Sequence, residues 1–291
     1  MKAKRVVYFV LLTSCLFSVK LFSANEKINI AVSIAPQKFL VNKLAGDLVR
    51  IQVMIPAGAD PHTYEPKPEQ VRNLASARVF FAIGGEFEKA WLPRFRAVNP
   101  EMSIVSSHEW IKRLAENKHK HAGDALNGED PHVWLAPPLM LLMARSMAFE
   151  LLKLDPANRD LYLNNLEHLS REIIALDLEL MSLLSALPEG RRIILVNHPA
   201  WDYFCRFYGL EQMAIETEGK EPKPRDLQKL ISQARVHGFK KIFVEKGAST
   251  RSAITVARAI GAEIIEIDPL SVDWAQNLRE VSRYLVSALK K

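Results

Sequence analysis

One stretch limits what this chain can fold into. From Asp155 to Leu187 there is no glycine, and the single proline, Pro156, follows an aspartate that can cap a helix. Apolar residues recur at Tyr162, Leu166, Leu169, Ile173, Leu176, Leu180, Leu183 and Leu187. These alternating steps of four and three draw one stripe on one helix. Pro188 and Gly190 end it. About thirty residues at about 1.5 Å each make a rod of roughly 45 Å. Such a rod joins two bodies stiffly, whereas a flexible hinge would be rich in glycine and serine.

The bodies lie on either side of it. Short β-branched or apolar runs occupy residues 28–34, 50–56, 79–84 and 103–107, with helical patterns near 36–47, 67–76 and 86–97. The same rhythm returns in strands at 192–197, 211–216, 240–245 and 262–268, with helices near 199–208, 224–237, 250–260 and 272–289. Strands alternating with helices make parallel sheets. The expected fold is therefore α/β, with two (β/α)4 lobes carrying parallel four-stranded sheets joined by one long helix. The expected division is a leader at 1–24, an amino-terminal lobe at 25–154, the linking helix at 155–187 and a carboxy-terminal lobe at 188–291.

The leader begins with "MKAKR" and continues with the apolar run "VVYFVLLTSCLFSV". A basic head and a short apolar run are the layout of a secretory signal, too short for a comfortable transmembrane helix. Leu12-Thr13-Ser14-Cys15 fits a bacterial lipoprotein site, with Cys15 receiving the lipid. The alternative is cleavage near Ala24, with the unfavourably large Phe22 three positions before the cut. Either route exports the protein. Loss of residues 1–14 lowers the net charge from +6 to +3, and the remaining Lys and Arg are scattered among acids. Nucleic acid is not an expected partner. With Cys15 lipidated or removed, Cys205 stands alone, so neither a disulfide nor a cysteine-pair metal site is available.

Chemistry concentrates at the strand ends. The tripeptide Asp-Pro-His occurs twice, at 60–62 in "GADPHTYEP" and at 130–132 in "GEDPHVWLAP". Ligands of parallel α/β sheets bind beyond the carboxyl ends of the strands. His62 follows the second strand and His132 the fourth. In the second lobe "LVNHPAW" puts His198 where the first strand stops, and "IEIDPLSVDW" puts Asp268 where the last one stops. All four adjoin proline, at Pro61, Pro131, Pro199 and Pro269, which restricts the loop backbone. Three imidazoles and a carboxylate form a nitrogen/oxygen set suited to zinc and acceptable to other first-row metals. Each lobe supplies two donors, which would place the metal in the cleft. Taken singly, each histidine is more simply a loop or capping residue, and Asp268 a helix cap.

These residues also carry a family resemblance. "GADPHTYEPKPEQ", "AIGGEFEKAWL", "DPHVWLAP", "VNHPAWDYFCRFYGL", "IFVEKGAST" and "IDPL", in this order, resemble the cluster A-I substrate-binding proteins of zinc and manganese ABC importers. The resemblance covers nearly all of the chain beyond the leader. It implies two (β/α)4 lobes on a backbone helix, and metal ligands at His62, His132, His198 and Asp268. It also implies a monomeric, exported receptor that delivers a divalent metal to an ABC permease, with no catalytic role. Manganese-preferring members often carry glutamate at the third position. His198 there favours Zn2+, with Mn2+ or Fe2+ also compatible with the set.

Several neighbours have lesser claims. The segment "ENKHKHAGDALNGED", with His119 and His121, sits where zinc receptors of that family carry a histidine-rich loop; it is at best a shortened version, and a solvated loop is the preferred reading. Glu65 could orient His62 or begin a helix. Glu245 could be an auxiliary ligand or a surface ion-pair partner. Trp134 and Trp201 could wall the site or pack in the core, and His108, His168 and His237 read as surface residues. Two other functional classes remain to be weighed. A zinc hydrolase would keep an open coordination position and a base, and no HExxH motif is present. An adhesin role has no repeat or stalk in its favour.

Overall fold

The computed structural model describes residues 27–107, 111, 130–216 and 220–290. The leader with Cys15, and the segment with His108, His119 and His121, lie outside them. Strands β1 (Ile28–Val32), β2 (Val49–Val53), β3 (Val79–Ala82) and β4 (Ser103–Ser106) form one parallel sheet in the order β2-β1-β3-β4. Helices α1 (Ala35–Ala45), α2 (Pro68–Asn73) and α3 (Glu86–Val98) connect them. The second sheet repeats this order as β6-β5-β7-β8, from β5 (Ile193–Val196), β6 (Glu211–Ala214), β7 (Lys241–Glu245) and β8 (Glu263–Ile267). Its helices are α6 (Asp202–Phe207), α7 (Pro224–His237), α8 (Arg251–Ile260) and α9 (Trp274–Leu289). The two-lobe α/β expectation is met, and the strands fall within a residue or two of their sequence patterns except β2, which ends three residues before the expected 56.

The linking rod differs in detail. Residues Pro156–Asn158 form a single 3-10 turn, and helix α5 proper is Arg159–Ser185, 27 residues long. At about 1.5 Å per residue that is about 40 Å. Asp155 does not cap it. Its Oδ2 accepts instead from Asn158 Nδ2 at 2.7 Å and Tyr162 Oη at 2.8 Å, so the carboxylate pins side chains. Tyr162, Leu169, Ile173, Leu176, Leu180 and Leu187 are buried as expected, Leu166 and Leu183 are partly buried against the same core, and Leu184 beside them is buried as well.

The sequence pattern assigns no element to residues 137–154. The structure places there the 18-residue helix α4, Pro137–Leu154. It opens on two prolines, whose missing N–H groups cost nothing in a first turn. Leu139, Met140, Met143, Ala144, Met147, Ala148 and Leu151 are buried, and the helix packs along α5. The carboxy-terminal helix also serves both lobes. It lies on α5, and its Trp274 meets Phe39 of α1 with ring centroids 5.7 Å apart.

One core cluster therefore runs from Phe80 and Phe95 of the first lobe through Leu169, Ile173 and Leu176 to Phe204 and Phe243 of the second. Alternation along the second sheet explains a separate, smaller cluster. Ile194, Val196 and Phe243 face the shared core, whereas Leu195, Ile242 and Val244 face away, toward α7 and α8.

Candidate metal centre

The carboxyl ends of both sheets open on one cavity of about 170 Å³, lined by residues of both lobes. His62, His132, His198 and Asp268 all line it. The structure brings the histidines together: one ring nitrogen from each lies within 4.8 Å of the others. His62 Nε2 and His198 Nε2 are 3.2 Å apart. The rings of His132 and His198 meet edge to face at 5.2 Å. Zinc–nitrogen bonds of about 2.0–2.1 Å at a tetrahedral centre require nitrogens roughly 3.3 Å apart. The first pair already has that spacing. Asp268 is not gathered into the same group, although it lines the same cavity.

Local sequence explains these positions. In both Asp-Pro-His tripeptides the aspartate accepts the amide of the histidine two residues on, at 2.9 Å to Asp60 Oδ1 and 2.9 Å to Asp130 Oδ1. Asp268-Pro269-Leu270 repeats the turn, with Leu270 N donating to Asp268 Oδ1 at 3.0 Å. Such aspartate turns need a middle residue with fixed φ, and proline supplies it. The prolines thus build the turns that carry three of the four candidates.

Two histidines are further oriented through the nitrogen that faces away from the cluster. His132 Nδ1 donates to Asp130 Oδ1 at 2.6 Å, and His198 Nδ1 donates to Glu216 Oε2 at 2.9 Å. Glu216 is itself held by Asn197 Nδ2 at 2.8 Å. A carboxylate on one ring nitrogen fixes the tautomer and leaves the other nitrogen bare for a metal. Sequence reasoning missed both carboxylates. Asp130 was in plain sight within its tripeptide, while Glu216 ends the segment "EQMAIE" and has no local cue. Glu65, weighed as an orienting group for His62 or as a helix start, is exposed and outside the cavity lining. Among the described residues no carboxylate accepts from a ring nitrogen of His62.

Partial loss of water at the cleft, followed by the His198 imidazole opposite, holds the otherwise exposed His62 below the ordinary histidine pKa; Asp60, Glu216 and Glu86 partly offset this. The unprotonated ring is the form that binds metal. Glu245 is buried beneath the cluster, not on the surface. Its Oε2 accepts the His198 amide at 3.2 Å, Oε1 has no partner among the described residues, and burial pushes its pKa up to about 8. Trp134 walls the cavity, with its ring 5.2 Å from that of His132. It also ties the lobes, since its Nε1 donates to Pro269 O at 2.8 Å and its carbonyl accepts Trp274 Nε1 at 2.7 Å. Trp201 packs on Phe204 in the core instead. His168 and His237 are exposed and outside the cavity lining.

Two parallel lobes on a helical spine, with donors converging from both, define the class of two-domain binding receptors that enclose a small ligand. Within that class the chain belongs to the family described as zinc-uptake complex component A, periplasmic (ZnuA), which it matches over residues 30–290. It is 39% identical to a solved ZnuA structure, with a TM-score of 0.81, covering 90% of this chain and 99% of that one. It is 28% identical over 253 residues to the high-affinity zinc uptake system protein ZnuA of Bacillus subtilis, covering 83% of this chain and 78% of that protein. It is 26% identical over 258 residues to the manganese ABC transporter substrate-binding lipoprotein PsaA of Streptococcus anginosus, covering 85% and 81%. The family consists of solute-binding receptors, not enzymes. No helix among the described residues is long and apolar enough to cross a membrane.

Proposed function

We propose that this chain is an exported receptor that captures one divalent transition-metal ion between its lobes, zinc in preference to manganese or iron, and hands it to a cognate ABC permease. The observation that carries the reading is the convergence of His62, His132 and His198 within 4.8 Å. Three neutral nitrogens favour zinc over manganese in the Irving–Williams order, and neither orienting carboxylate is itself a donor of the cluster. Asp268 is the fourth ligand in this reading. Its Oδ1 is held in the turn, and Oδ2 takes no hydrogen bond among the described residues, which leaves that oxygen available to a metal in the cavity that Asp268 lines. The receptor acts as a monomer, tethered through lipid at Cys15 or released by cleavage near Ala24.

Calorimetry on chelator-stripped protein tests the reading, with zinc and manganese titrated separately and then in competition. One zinc per chain, not displaced by manganese, is the expected result. His132→Ala lowers zinc affinity at least about a hundredfold with the circular dichroism spectrum unchanged. A manganese preference overturns the zinc assignment, and binding of neither metal overturns the reading as a whole.

A further inference from the structure

The three histidines are not held alike. His132 and His198 have side chains only 12% and 13% exposed, each locked by a carboxylate. His62 is exposed and meets the pair through His198, with Nε2 3.2 Å from that ring's Nε2 and the ring centroids 4.8 Å apart edge to face. Within the turn the Asp60 carboxylate accepts His62 N and Thr63 Oγ1 and the Asp60 carbonyl accepts Tyr64 N at 3.0 Å, while Tyr64 anchors its far end, with Oη donating to Gln70 Oε1 at 2.7 Å and its ring 6.1 Å from that of Phe87. Such a unit can move as one piece.

Across the cleft this turn meets the loop after β7, and the meeting point is two glycines. Gly58 and Gly247 both have left-handed backbone, with φ of 77° and 83°. A Cβ on Gly247 would overlap the carbonyl oxygen of Gly58 and stand 3.1 Å from its carbonyl carbon. Only glycine permits this approach. The Gly247 side is fixed from within its own lobe. Lys246 N donates to Ile267 O at 2.9 Å, Asn197 Nδ2 to Ser249 O at 3.3 Å, and Ser249 Oγ to Glu221 at 2.7 Å. Rotation of one whole lobe would have to part the shared core along α5, whereas lifting residues 58–63 about the Tyr64 anchor parts the glycine contact and the His62–His198 approach and leaves that core in place.

We infer that Gly58 and Gly247 form a latch that seats the His62 turn over a standing His132–His198 pair, so that His62 is the last ligand to engage and the first to leave. The inference rests on the metal-receptor reading above. Metal would meet the locked pair first, and the turn would then close until the two glycines touch. Gly247 is on this account a positioning residue for metal retention that touches no metal.

The test compares Gly247→Ala with Gly261→Ala. Gly261 has the same left-handed backbone, φ 69°, but a Cβ there meets nothing within 4 Å, so it reports the strain of the substitution alone. Zinc dissociation into excess chelator is followed in both variants and in the wild type. Gly247→Ala should release zinc at least about tenfold faster, equivalent to about 1.4 kcal/mol, with Gly261→Ala at the wild-type rate and a comparable fall in Tm. Equal release rates in the two variants overturn the latch. Should Gly247→Ala fail to fold, hydrogen exchange on the wild type decides: zinc should slow exchange at residues 57–64 far more than at 130–136 or 197–201. Uniform protection overturns the latch. Absence of zinc binding by the wild type instead overturns the metal-receptor reading itself.

Discussion

A histidine that binds metal is only as good as what holds its other nitrogen. Glu216→Gln or Asp130→Asn should weaken zinc binding by about tenfold to a hundredfold, measured by dye competition, without altering the fold. Glu245 makes a different prediction. Its folded pKa of about 8 lies above the ordinary carboxyl value of 4.5, so the native state holds a proton that the unfolded chain has lost. In metal-free protein the resulting stability is full below about pH 4.5 and is lost as pH rises toward about 8. Across pH 6.5–8, where unperturbed histidines are largely neutral, the wild type should lose stability to urea by an amount that Glu245→Gln does not. The sequence disclosed His62 and His132 as candidates because Asp-Pro-His is a local turn with a local signature. It could not disclose Glu216, whose only mark is proximity to His198 across eighteen residues. Nor did it show that Glu245 would be sealed from water.

Elements were legible to the degree that one face differs from the other. The strands announced themselves as short β-branched or apolar runs, and α5 through a seven-residue stripe. Helix α4 did not, because "PPLMLLMARSMAFELLKL" is apolar on several faces and carries no single stripe. Its place between α1 and α5 explains the composition: a helix packed on more than one side needs little polar surface. The stripe on α5 bears on both lobes, which makes its centre costly to disturb. Leu176, 1% exposed, should cost about 2–5 kcal/mol when replaced by alanine, read as a lower urea midpoint. Ile174, 48% exposed on the same helix, should change little.

At the scale of the molecule, a core continuous through both lobes makes them one cooperative unit. Metal-free protein should melt in a single calorimetric transition despite its two sheets. Zinc at a thousand times its Kd should stabilise it by about 4 kcal/mol, and acidification through the histidine range should abolish that increment. The two tryptophans that bolt the lobes together have a further consequence. Trp134 lies against His132 on one side and is hydrogen-bonded to the Trp274 segment on the other. Its emission is thus coupled to the charge on that imidazole, since a protonated ring quenches an adjacent indole and a metallated one changes its field. The receptor carries its own optical reporter, and ultraviolet fluorescence alone would show, in unlabelled protein, when the cargo arrives.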